Sequence, residues 1–246
     1  MPLAGGMEQM GFQCGQLWGA ALAAGAEAYR AFGPGPRAEA AAVLAAQRLV
    51  DSFQGSYKSI NCSELIELDW QNAQGKQVLK FFLKGGPVRC FAMTAGFARA
   101  TRRQIDVSFA EDEIEAPEPP VSCAALLART MGADDKHAVM SAGLAGGIGL
   151  SGGACGALGA AIWLIQIARA KAGGEVEFNS TEATEAIDRF VQNTDCEFEC
   201  AAIVGRKFAD VADHAQYVRE GGCAHIIAAL AALDLPGTSG AQGANL

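Results

Sequence analysis

The chain has 246 residues and a formal charge of -8, from 27 acidic against 19 basic residues, and half of it is apolar although only 7% is aromatic. That length builds a core without disulfide staples, while the acidic balance, with no basic stripe, excludes a nucleic-acid partner. Alanine and 30 glycines carry much of the rest, a composition that favours closely approaching helices over a bulky sandwich.

In chain order, the opening stretch has no basic leader and is interrupted by Glu8 and Glu27, so no secretory signal is expected and the expected location is cytoplasmic. Alanine- and leucine-rich segments predict helices over 16–31 and 37–53. The alternation in 105–109 predicts a strand. Residues 111–120, EDEIEAPEPP, are acidic and proline-rich and predict a linker. Beyond it, helices are expected over 121–131, 154–172, 182–191 and 224–233, with Asn179 capping the third of these and Glu182 completing the box. The run 138–168 has no charged residue, yet its first half is glycine, alanine and serine, which contribute little transfer energy. It is expected to be buried in protein, with no membrane span.

Eight cysteines stand at 14, 62, 90, 123, 155, 196, 200 and 223, and none forms C-x-x-C. In a reducing compartment such a set points to metal or redox work before structural disulfides. The missing motif removes thioredoxin-type chemistry and c-type haem attachment together.

The chain repeats itself. LAGGMEQMGFQCG at 3–15 and LAGGIGLSGGACG at 144–156 match without a gap, pairing Cys14 with Cys155 and Gly15 with Gly156. Downstream, Cys62 is expected to pair with Cys196 and Cys90 with Cys223, which leaves Cys123 and Cys200 single. The first copy thus enters part-way through the unit. The expected architecture is all-α, with two tandem helical repeats packed about a pseudo-two-fold axis: 1–110, a linker at 111–120, 121–235, and a tail at 236–246.

The glycines before Cys155 would each cost about 1 kcal/mol relative to alanine inside a helix, so they are expected to form a loop or allow close backbone approach. Gly152, Gly153 and Gly156 are the candidates for bringing N–H groups toward a thiolate at Cys155; tight helix packing is the other explanation. Gly147, Gly149 and Gly152 also spell G-x-G-x-x-G, but no strand signal precedes them and Glu8 replaces the second glycine in the first copy. Cys196 and Cys200 would share a helix face, with Cys200 either a second ligand or a core filler. His214 and His225 are either auxiliary ligands or ordinary surface histidines.

The order of Cys123, the glycine-rich run into Cys155, Cys196 and Cys223 resembles a family of redox-active bacterial proteins named for the pattern C, GCAxxG, C, C. Around Cys155 the chain reads Ala154-Cys155-Gly156-Ala157-Leu158-Gly159, which keeps the cysteine and the closing glycine. The resemblance implies a helical domain with four functional cysteines and an electron-transfer role. The split-Soret cytochromes, a related branch, imply an iron–sulfur centre; their haem motifs are absent here. Three functions stand open: a cluster or metal held by Cys123, Cys155, Cys196 and Cys223, with Cys14, Cys62 and Cys90 as a second set and Cys200 and His214 as auxiliaries; a cofactor-free dithiol protein; or a structural repeat with buried cysteines. The partners expected are a redox protein of unknown identity and a second copy in a homodimer.

Overall fold

The computed structural model describes residues 2–110, 114–178, 180–233 and 235. Among them are twelve helices and no strand, only two isolated bridges. The first copy contains α1 (Gly15–Phe32), α2 (Pro36–Tyr57), α3 (Cys62–Ile66), α4 (Gly75–Leu83) and α5 (Gly86–Phe109). The second contains α6 (Cys123–Thr130), α7 (Asp135–Ala142), α8 (Gly156–Lys171), α9 (Thr181–Gln192), α10 (Cys200–Val204), α11 (Val211–Arg219) and α12 (Ala224–Ala231).

Local chemistry sets the boundaries. Pro36 opens α2, where its missing N–H costs nothing. Side chains of Ser122, Asp134, Ser180 and Asp210 accept the free N–H groups at the starts of α6, α7, α9 and α11. Ser180 caps α9, and the cap expected at Asn179 lies outside the described residues. The alternation at 105–109 belongs to the end of α5 rather than to a strand, because Ile105 and Ser108, three apart, are both buried on one helical face.

The copies correspond in order, α1 to α8, α2 to α9, α3 to α10, α4 to α11 and α5 to α12. They meet about a pseudo-two-fold axis marked by contacts between equivalent residues. The Gln13 Oε1 atom accepts from the amide of its counterpart Ala154 at 3.0 Å, and a Cβ on Gly159 would collide with the ring of its counterpart Trp18. Phe12 stacks on Phe198 with ring centroids 5.1 Å apart. Helices α6 and α7 have no counterpart among the described residues. Helix α7 packs on α1 and α2 of the first copy, where Gly25 lets the backbone of Val139 and Met140 come close. No described helix is long and apolar enough to cross a membrane. The uncharged run is divided among α7, a glycine-rich turn and α8.

That turn is the least ordinary backbone in the protein. Gly146 to Leu150 take φ values of 61°, 79°, 65°, 54° and 61°, and Gly5 to Gln9 repeat them at 73°, 82°, 61°, 48° and 61°. Each is a run in the left-handed region, which costs non-glycine residues about 1–2 kcal/mol apiece. Burial of Met7 and Ile148 and the bonds from the Ile148 and Leu150 amides to Leu144 O (2.9 Å) and Ala145 O (3.0 Å) offset that cost. No strand precedes the glycines, so the dinucleotide fingerprint is absent in three dimensions.

Candidate thiol centre

Each cysteine of the second copy that points inward stands where a helix begins. Cys123 is the first residue of α6, Cys155 the cap of α8, Cys200 the first residue of α10 and Cys223 the cap of α12. All four line one chamber of about 20 Å³, together with Gly146, Phe208, His214 and Tyr217. Cys155 and Cys200 are held side by side: the Cys155 amide donates to Phe198 O and the Cys200 amide to Gly153 O, both at 2.8 Å.

Electrostatics inside the chamber favour neutral thiols when no metal is bound. Burial, with the neighbouring thiols adding to it, pushes Cys155 up to about 12 and Cys223 up to about 11. Burial raises Cys123 and Cys200 in the same direction. Working against this are backbone N–H groups aimed at sulfur, from Gly146 and Ala124 to Cys123 and from Leu158 and Ala157 to Cys155. The left-handed turn therefore has a chemical product, since it delivers the Gly146 amide to the Cys123 thiol. No cationic side chain lines the chamber. Burial pushes the His214 imidazole below its usual value, and its Nδ1 donates to Val121 O at 3.0 Å, leaving Nε2 as the basic nitrogen. The Cys223 thiol lies 3.9 Å from the Tyr217 hydroxyl.

The first copy builds a partial version. Cys14 caps α1 and Cys62 begins α3; the Cys14 amide donates to Ile60 O and the Cys62 amide to Phe12 O, both at 2.7 Å. Burial, then the proximity of Cys14 and Cys90, pushes Cys62 up to about 12. Cys90 reaches the set from the second turn of α5, where its carbonyl accepts from Gln16 at 3.3 Å. It opens onto a pocket of about 360 Å³ that Phe81, Lys84 and Arg89 help to line.

These clamps correct the expected register. The bridges Gln13–Asn61 and Ala154–Glu199 are equivalent, so the counterpart of Cys62 is Cys200, and Cys196 has none; Gly86 meets Phe81 as Gly222 meets Tyr217, which sets Cys90 opposite Ile226 and not opposite the expected Cys223. Cys196 is exposed and sits in a left-handed turn (φ 63°) ahead of α10, so it does not share a helix face with Cys200. Cys200, expected as an auxiliary or a filler, is the fourth thiol of the chamber. His214, expected to be an auxiliary ligand or an ordinary surface histidine, is buried in the chamber wall, while His225 is exposed. Gly152 and Gly153 serve through their carbonyls, which hold the start of α10, and Gly156 lets the chain pass against Leu144 O. The N–H donors are instead Gly146, Ala124, Ala157 and Leu158. Sequence inspection missed Tyr217 and Phe208; the signal available was that Tyr217 aligns with Phe81 ahead of each Gly-Gly pair.

A family model described as "Putative redox-active protein (C_GCAxxG_C_C)" matches residues 1–103 and again 121–233. No curated protein and no solved structure matches the chain. With both copies matched over most of their length, the chain belongs to the C_GCAxxG_C_C family and carries its unit twice in tandem.

Proposed function

We propose that the second copy is an electron-transfer module in which Cys123, Cys155, Cys200 and Cys223 hold an iron–sulfur cluster. The observation that carries this is the convergence of four thiols, each from the start of a different helix, on one small chamber. The donor set fits: it is all sulfur, and it is served by backbone N–H groups of the kind that tune cluster potentials. Among the described residues no three His, Cys, Asp or Glu side chains are already placed to hold a single metal ion. At about 20 Å³ the chamber has room for about one water. A bound cluster would accept and release single electrons. The chain's own part is to supply thiolates, direct amide hydrogens at sulfur and exclude water. Metal binding would replace the thiol protons that burial otherwise retains. Eight cysteines, none in a disulfide, suit a reducing, cytoplasmic setting.

A cofactor-free dithiol centre is the second reading, favoured by the small chamber and the closeness of its thiols. The raised thiol pKa values weigh against it, because exchange needs a thiolate. Iron and acid-labile sulfide after anaerobic purification decide the matter. Cys155→Ser and Cys200→Ser should lose most of the iron while the helical circular dichroism persists, and Cys196→Ser should keep it. A colourless parent protein without iron would sink the cluster reading, and a two-electron titration against a thiol–disulfide buffer would then establish the second.

A further inference from the structure

The two copies present an equivalent face in different states. In the second copy Ala215 and Val218 of α11 and Ile227 of α12 are 0%, 6% and 6% exposed, whereas their counterparts Leu79, Phe82 and Phe91 in α4 and α5 are 59%, 56% and 76% exposed. Over the second copy lies the segment that leads into α6. The Glu118 carbonyl accepts from Arg219 at 2.6 Å, the Val121 carbonyl from His214 at 3.0 Å, and α6 packs on α8 and α12 with Cys123 at its head. No described residue covers α4 in this way, and α4 has no buried residue at all. The same omission deprives the set of Cys14, Cys62 and Cys90 of a fourth thiol. Three large apolar side chains on one uncovered face mark an interaction surface.

We propose that the α4–α5 face is a docking site for a cysteine-led apolar helix of the α6 type on a partner polypeptide, whose cysteine completes a four-thiol set with Cys14, Cys62 and Cys90. A second copy of this chain cannot lend its own α6, because Ala124, Ala125, Leu127 and Ala128 are fully buried in its own core. Charge complements shape. Lys80 of α4, Lys84 at its C-terminal cap and Arg89 of α5 flank the face, and Glu115 and Glu118 stand ahead of α6 where such a helix would enter. Docking extends the four-thiol reading to the first copy yet needs no iron, so its outcome and that of the cluster assay are separate.

The probe is a synthetic peptide of residues 118–131, titrated by fluorescence anisotropy onto the full chain carrying Cys196→Ser, which removes the most exposed competing thiol. Saturable binding is expected, weakened about tenfold or more by Phe82→Glu. Diamide should then join the peptide to Cys90, Cys14 or Cys62 through a disulfide; the two thiols give up two electrons and two protons, and diamide takes up both. No binding, or binding indifferent to Phe82→Glu and Leu79→Glu, overturns the proposal, and binding without a disulfide to any of the three thiols overturns the completion of the set. Sedimentation showing a dimer of the free chain that Phe82→Glu dissociates would assign the face to a second copy and overturn it as well. Phe82 and Leu79 are exposed, so both substitutions should leave the helical circular dichroism unchanged.

Discussion

Trp18 and Gly159 hold equivalent places in α1 and α8, and they meet: the indole fills the space that the missing side chain of its own counterpart leaves open. The ring cannot retreat, since it is fully buried and its Nε1 donates to Gln13 O at 3.0 Å. Gly159→Ala should therefore destabilise the protein by about 1–3 kcal/mol, read as a lower denaturant midpoint. Gly19, one residue after Trp18, has open space at its Cβ position, and Gly19→Ala should be neutral or stabilising through helix propensity. Equal costs at the two sites would contradict packing at the axis.

Gln13 ties the copies together through two buried bonds, from its Nε2 to Gly147 O and from the Ala154 amide to its Oε1, both 3.0 Å. Gln13→Ala would leave the Ala154 amide unpaired and the Gly147 carbonyl with the Ser151 hydroxyl alone, and should cost about 1–3 kcal/mol. Urea unfolding measures it, and a loss below about 0.5 kcal/mol would fall within the range of an ordinary surface change.

Thiol reactivity should sort by place. In metal-free protein at pH 8, iodoacetamide should label exposed Cys196 first and the chamber cysteines about a hundredfold more slowly, because their thiolate fraction is small. Peptide mapping over time gives the order. Early labelling of Cys155 would show that the chamber is open.

Stability should also depend on pH through Glu8. Burial raises its carboxyl from 4.5 to about 7 in the folded state. Between these values the unfolded chain releases a proton that the folded chain keeps, so stability is greatest below about 4.5, falls as pH rises to 7, and then levels off. Glu8→Gln should stabilise by at most about 3 kcal/mol at pH 8 and by little at pH 4.5. The test is thermal unfolding of both proteins across that range; parallel curves would remove Glu8 as the cause.

The duplication, the helical class and the alignment of Cys14 with Cys155 were legible in the residues because the left-handed turns impose glycine at fixed positions, and chemistry that strict leaves the same letters in both copies. The choice between Cys196 and Cys200 was not legible. It depends on the Ala154–Glu199 bridge, a contact between distant segments, and α10 is a five-residue helix too short to show a period. Helix α5 escaped notice for a different reason: its 24 residues are rich in arginine and mean close to neutral hydropathy, so no apolar stripe announces them. His214 could not be placed from its neighbours, since its ring bonds the Val121 carbonyl, far away along the chain.

Helix α7 lies across α1 and α2, with Gly143 set against Ala21 O and Ala42 O. For a chain emerging from the ribosome, the α1–α2 hairpin consequently waits for a cover made more than eighty residues after Tyr57, and until then its alanine-lined face is open to solvent and to chaperones. The tandem pair matures as one object, its first half finished by its second.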